Sequence, residues 1–156
     1  MELTPLRTAE LVDAYAKADY RWELDGEWRR FRVGDAVPEM DAAFPQAQRF
    51  ALLSAWDPHS QPRAESVNRA EDAALEQLIS SMGYAKRAAF SSAADRSWRE
   101  PSWLAVDMPH GVLDALAKRF AQLGTLAWQR GQPVRLRMDA APPPGLETLA
   151  FIDWLR

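Results

Sequence analysis

Two acidic side chains flanked by tryptophan and proline carry the chemistry that this 156-residue chain most readily suggests. Asp57 lies in Trp56-Asp57-Pro58-His59-Ser60, and Glu100 lies in Trp98-Arg99-Glu100-Pro101-Ser102. A carboxyl group beside a large ring loses hydration, which raises its pKa toward neutrality. Such a group can act as a general acid or base, or hold a ligand hydroxyl or amine. Glu100 has an equally simple structural use, accepting backbone N–H bonds that fix its loop or pairing with Arg96 or Arg99. Together Asp57 and Glu100 would suit glycoside cleavage only at a particular separation, which a sequence does not supply.

The remaining chemistry-bearing types are less suggestive. His59 sits between two prolines and His110 stands at a helix start, without cysteines or HExxH spacing, so no metal site and no cofactor are expected. Ser60, Ser91, Ser92, Ser97 and Ser102 lack a nucleophile elbow and serve as caps and turn formers. Trp56 and Trp98 are placed to stack on a ligand, whereas Trp22, Trp103 and Trp128 fall in strand-like runs and read as core. Nineteen basic against 22 acidic residues give a net charge of −3, so no field favours long nucleic acid, and nucleic acid is not an expected partner. No apolar run is long enough to span a bilayer, and the acidic N-terminus lacks the features of a signal peptide. With no cysteine, the expected location is cytoplasmic and no membrane partner is expected.

Hydrophobic periodicity supplies the elements that must position these groups. Thr8 to Ala18 reads as a helix with Thr8 at its cap, and Asp25-Gly26 joins the alternating runs 20–24 and 28–33 into a hairpin. Residues 37–44 read as a short helix. The run 49–56 (RFALLSAW) reads as a central strand and 64–82 as a long helix ended by Gly83. Strands over 84–90 and 102–108 flank a long loop, 91–101. A second helix opens at Pro109, and a second hairpin spans 125–138. The order strand, helix, strand, strand, helix, strand predicts an α+β fold. That fold is a two-layer α/β sandwich on a ferredoxin-like βαββαβ unit, with an added N-terminal helix and β-hairpin and a C-terminal strand. Residues 1–139 form its single domain. Residues 140–156 are a Pro-rich linker and a short amphipathic segment that packs on it or on a partner.

In that topology loops 56–63 and 91–101 and the turn 122–125 meet at one end of the sheet. There Trp56, Asp57, His59, Ser60, Trp98, Glu100 and Gln122 become lining candidates, and the start of the long helix favours an anion. At these residues the sequence resembles a bacterial family, domain of unknown function 3293. The likeness rests on Tyr20-Arg21, Phe31-Arg32-Val33-Gly34, Ala55-Trp56-Asp57-Pro58 with Ser60 and Asn68, Trp98-Arg99-Glu100-Pro101-Ser102, and Phe120-Ala121-Gln122. It adds Asn68 and Ser102 to the candidate ligand contacts. Asp57 and Ala64 stand where the family pattern has Asn and Ser. The resemblance implies no activity. The expected function is therefore a non-catalytic binding domain for a small polar ligand, a nucleotide or another metabolite. The alternatives are a hydrolase or lyase using Glu100, with Asp57 as the second catalytic candidate, and a protein-interaction module. The last would form a homodimer through the C-terminal segment or a sheet edge.

Overall fold

The computed structural model describes residues 3–95 and 97–156, excluding the side chain of His59. In chain order the elements are α1 (Pro5–Lys17), β1 (Asp19–Leu24), β2 (Glu27–Phe31), α2 (Pro38–Ala43), β3 (Arg49–Leu53), a short 3-10 turn (Pro58–Ser60), α3 (Glu65–Ser81), β4 (Lys86–Ser92), β5 (Arg99–Val106), α4 (His110–Arg119), β6 (Gly124–Gln129), β7 (Arg135–Met138) and β8 (Ile152–Trp154). Helix α1 begins three residues earlier than its periodicity suggests. Pro5 takes the first turn, where its missing N–H costs nothing, and Thr4 rather than Thr8 is the cap, its side chain accepting from the Arg7 N–H at 3.1 Å. Thr8 is instead buried within the helix, and its hydroxyl donates to the Thr4 carbonyl. In the first hairpin both Asp25 (φ 53°) and Gly26 (φ 80°) take the left-handed conformation that a tight two-residue turn demands.

One eight-stranded sheet runs β2-β1-β4-β5-β3-β6-β7-β8. β5 is antiparallel to both β3 and β4, so those two run parallel with β5 between them, and β6 is antiparallel to β3 on its other side. Alternate residues of β3 explain how both faces are filled. Phe50 and Leu52 join Val12 of α1, Met40 of α2, Trp22, Trp128 and Leu136 in one core. Ala51 and Leu53 face Leu75 and Ile79 of α3 and Leu113 and Leu116 of α4 in the other. Helices therefore stand on both faces of the sheet. Burying a large apolar side chain is worth roughly 1.5–3 kcal/mol, and this nearly continuous apolar strand contributes to two cores at once. The C-terminal segment ends as β8, parallel to β7, with Leu136 opposite Ile152 and Met138 opposite Trp154. Among the described residues no helix is long and apolar enough to cross a membrane.

The largest departure from expectation concerns loop 91–101. Strands β4 and β5 extend into it, pairing Ser92 with Arg99, Ser91 with Glu100 and Phe90 with Pro101. Among the described residues between the two strands, 93–95, 97 and 98 remain outside the ladder. Pro101 argues against a strand when read alone, but pairing of β3 with β5 stops at Leu53 opposite Trp103. Pro101 thus lies where β5 has a single neighbour, a position at which proline is tolerated. Glu100 is carried by a strand, not by a loose loop.

Candidate functional site

Because β3 and β4 run parallel, their C-terminal ends lie beside the starts of β5 and β6. The segments 54–63, 91–95, 97–100 and 122–125 converge there, and α1 closes the assembly with Tyr15. An inner cavity of about 50 Å³ is lined by polar groups of Tyr20, Ser54, Ser91, Ser102, Gln122 and Thr125 against leucines of β3, β6 and β7. An outer cleft of about 340 Å³ is bordered by Arg7, Glu10, Leu11 and Ala14 of α1, Asp57 and Pro62 of the β3–α3 connection, and Arg99. Tyr15, Ser60, Trp98 and Glu100 border both spaces. These four residues form the boundary between the cleft and its inner end.

Glu100 is half-buried, and its remaining surface faces this space. Burial pushes its pKa up to about 7; the Ser54 hydrogen bond opposes the shift and the negative charge of Asp57 adds to it. The protonation state of Glu100 also decides how the hydrogen bonds around Ser54 are shared. Its Oγ lies 3.0 Å from Glu100 Oε1 and 2.9 Å from the Pro101 carbonyl, and it accepts the Trp56 N–H at 2.9 Å. A hydroxyl has one proton to give and two lone pairs to receive. With Glu100 protonated, Ser54 accepts from both Glu100 and Trp56 and donates to Pro101, so every valence is used. With Glu100 ionised, one proton must serve two acceptors.

Tyrosines from α1 and β1 complete the wall. The Tyr15 hydroxyl hydrogen-bonds to Ser60 Oγ, and the Tyr20 hydroxyl donates to the Tyr15 carbonyl at 2.6 Å. Burial raises the pKa of both phenols, so neither is a base near neutral pH. Ser102 is a buried residue of the inner cavity's lining, and its Oγ has no hydrogen-bond partner among the described residues. A buried hydroxyl left without a partner has lost its hydration without replacement, a defect that a bound polar group would repair.

Other sequence candidates take part differently. Asn68 is buried in α3; its Oδ1 accepts from the Asp57 N–H (2.9 Å) and Arg63 Nε (2.6 Å), and its Nδ2 donates to Asp57 Oδ1 (2.7 Å). Arg63 also donates to the Ala55 carbonyl at 2.8 Å. Asp57 has φ 40°, and this cluster holds its backbone in that conformation. The Asp57 carboxylate also accepts the Arg63 N–H just before α3, so the chain itself supplies a negative charge near the helix start. Trp56 is joined to the site through its main chain, its carbonyl accepting from Gln122 Nε2 at 3.0 Å. The expectation for the His59 side chain lies outside the described residues. Among those residues no group of three or more His, Asp or Glu is arranged to hold a metal ion.

Sequence reasoning missed Tyr15, Tyr20, Ser54 and Arg63 as site residues. Ser54 had a visible signal, a lone hydroxyl in the apolar run 49–56, and Tyr20 opens the Tyr20-Arg21 pair. Tyr15 had none, because it sits on the apolar side of α1 where core packing accounts for it. No curated protein and no solved structure matches the chain. Residues 53–124, from the end of β3 to the start of β6, match the model of a family described as a protein of unknown function, DUF3293.

Proposed function

We propose that the protein binds a small polar ligand in the cleft between α1, the β3–α3 connection and the tip of the β4–β5 hairpin. The observation that carries this reading is the shared boundary of the two cavities. Tyr15, Ser60, Trp98 and Glu100 offer aromatic surface, a hydroxyl and a carboxyl around one opening, and the unpartnered Ser102 lies beyond it. Pockets of this kind, part apolar with a few convergent polar groups, are where small ligands are usually held. Thermal unfolding against a panel of nucleotides, sugars, amino acids and amines tests it, since a ligand at 100 times its Kd stabilises by about 2.7 kcal/mol. Stabilisation of the wild type that is lost in both Glu100→Gln and Trp98→Ala is the expected result. A stabilising ligand indifferent to both substitutions overturns the assignment.

A second reading, a hydrolase or lyase with Glu100 as general acid or base, is favoured by the carboxyl pushed up to about 7 inside a cleft. Incubating a ligand found in the panel with the protein, and following the ligand by NMR, separates the two. Conversion that is lost in Glu100→Gln supports catalysis, and an unchanged ligand leaves simple binding.

A further inference from the structure

We infer that the group received at the inner end of the cleft is a cationic nitrogen, a primary ammonium on a small polar ligand, held by Glu100 between Tyr15 and Trp98. The inference rests on the binding reading above and specifies the ligand for the same site.

Three observations converge on a cation. Glu100 and Asp57 place two carboxyl groups around the cleft, and the negative charge of Asp57 disfavours ionisation of Glu100, an arrangement that a cation relieves. Among the described residues no Arg or Lys forms an ion pair with Glu100, and Ser54 is the one side chain hydrogen-bonded to its carboxyl. A carboxyl group at this depth is neutral unless a positive charge comes to it, and a cationic ligand would supply that charge. The walls fit the same group, because an ammonium carries three donors and no acceptor. Glu100 is an acceptor at this boundary, Ser102 with its unpartnered but buried Oγ lies in the wall of the inner cavity, and Tyr15 and Trp98 border the space with aromatic rings, a residue type that attracts cations. An inner cavity of about 50 Å³ accommodates an ammonium with a short methylene stem.

The charged and titratable groups around Glu100 come from several elements: Arg7, Glu10 and Tyr15 from α1, Tyr20 from β1, Asp57 from the β3–α3 connection, and Arg99 beside it on β5. Ser91 of β4 and Gln122 and Thr125 near β6 add none. Arg7 pairs with Glu10 at 3.2 Å, and the Arg99 guanidinium lies 3.8 Å from the centre of the Phe90 ring. Neither cation therefore serves as the partner of Glu100.

The test uses n-propylammonium, with n-propanol and propionate as uncharged and anionic counterparts of the same length, titrated into the full-length chain and followed by backbone amide shifts. Propylammonium should shift Ser91, Trp98 and Ser102, the other two should not, and Glu100→Gln should abolish the effect. Because the cation binds the ionised carboxylate, affinity should rise about tenfold from pH 6 to pH 8, as the ionised fraction grows through a midpoint near 7. The pH dependence should disappear in the glutamine variant. Propanol binding at the same amides as well as propylammonium does, or pH-independent binding, overturns the ammonium while the pocket stands. Silence from all three probes also overturns it, and the ligand panel remains a separate test of the pocket itself.

Discussion

Two polar clusters share one end of the sheet and put similar side chains to opposite uses. In the first, Asp57, Arg63 and Asn68 exchange hydrogen bonds among themselves and with the Ala55 carbonyl, five in all. In the second, the Glu100 carboxyl hydrogen-bonds to Ser54 alone among described side chains, and Ser102 Oγ has no partner. Burial charges a polar group the full cost of lost hydration unless partners replace water. The first cluster meets that cost internally and is a structural knot that holds the left-handed Asp57 and the connection into α3. The second leaves the cost unmet beside a cavity, which is the signature expected of a surface that receives something else. Residue type separates the two poorly, since a carboxylate sits in each, whereas hydrogen-bond accounting separates them well.

Substitution of Asn68 should break the knot and produce the largest effect. Asn68→Ala strands the Asp57 N–H and the Arg63 Nε and empties a buried position, so a loss of about 3 kcal/mol is expected. Urea unfolding checks it: the midpoint should fall with little change in slope, because the surface exposed on unfolding is nearly the same. A variant as stable as the wild type would mean that the three side chains are incidental neighbours and that Asp57 is free to take part in the pocket.

The second prediction turns on the sign of a titration. Glu100 holds its proton more tightly in the folded chain, with its pKa raised from 4.5 to about 7. Between those values the folded state keeps a proton that the unfolded state has lost. Its contribution to stability is therefore fully present below about pH 4.5 and is lost as pH rises to about 7. One pH unit is worth about 1.4 kcal/mol, and allowing for the part of Glu100 that faces the cavity leaves about 2 kcal/mol over the whole window. Glu100→Gln should remove that fall, so the variant should gain on the wild type by about 2 kcal/mol at pH 8 and match it at pH 4. Parallel stability curves for the two proteins would show that the carboxyl is solvated and that the contrast between the clusters is false.

How much of this was legible beforehand follows from the range over which each feature is determined. The Asp25-Gly26 turn, the apolar run of β3 and the period of α3 are set by residues a few positions apart, and the elements appear where those patterns place them. The convergence of segments 54–63, 91–95, 97–100 and 122–125 follows from the strand order and was likewise derivable. Glu100 itself was readable from its company, Trp98 and Pro101, but not its setting on a strand. Pairing of Ser91 with Glu100 depends on β4, and tolerance of Pro101 depends on β3 ending at Leu53. Tyr15 was invisible for a stronger reason. Its role is created when α1 packs across the sheet, and an aromatic on an amphipathic helix looks the same whether it fills a core or borders a cleft.

The smallest effect is expected at Ser102. A serine with satisfied hydrogen bonds costs about 1 kcal/mol or more to truncate, because its partners are stranded along with it. Ser102 Oγ has no protein partner to strand. Ser102→Ala should therefore change stability by less than about 0.5 kcal/mol, or raise it slightly by removing an unsatisfied hydroxyl. The same substitution should weaken a ligand that reaches the inner cavity, because it removes one of the acceptors there. Thermal unfolding with and without a stabilising ligand reads both effects in one experiment. A loss above about 1 kcal/mol without ligand would reverse the argument. The hydroxyl would then be satisfied by ordered water, and the inner cavity would be a hydrated part of the fold, as internally complete as the knot beside it.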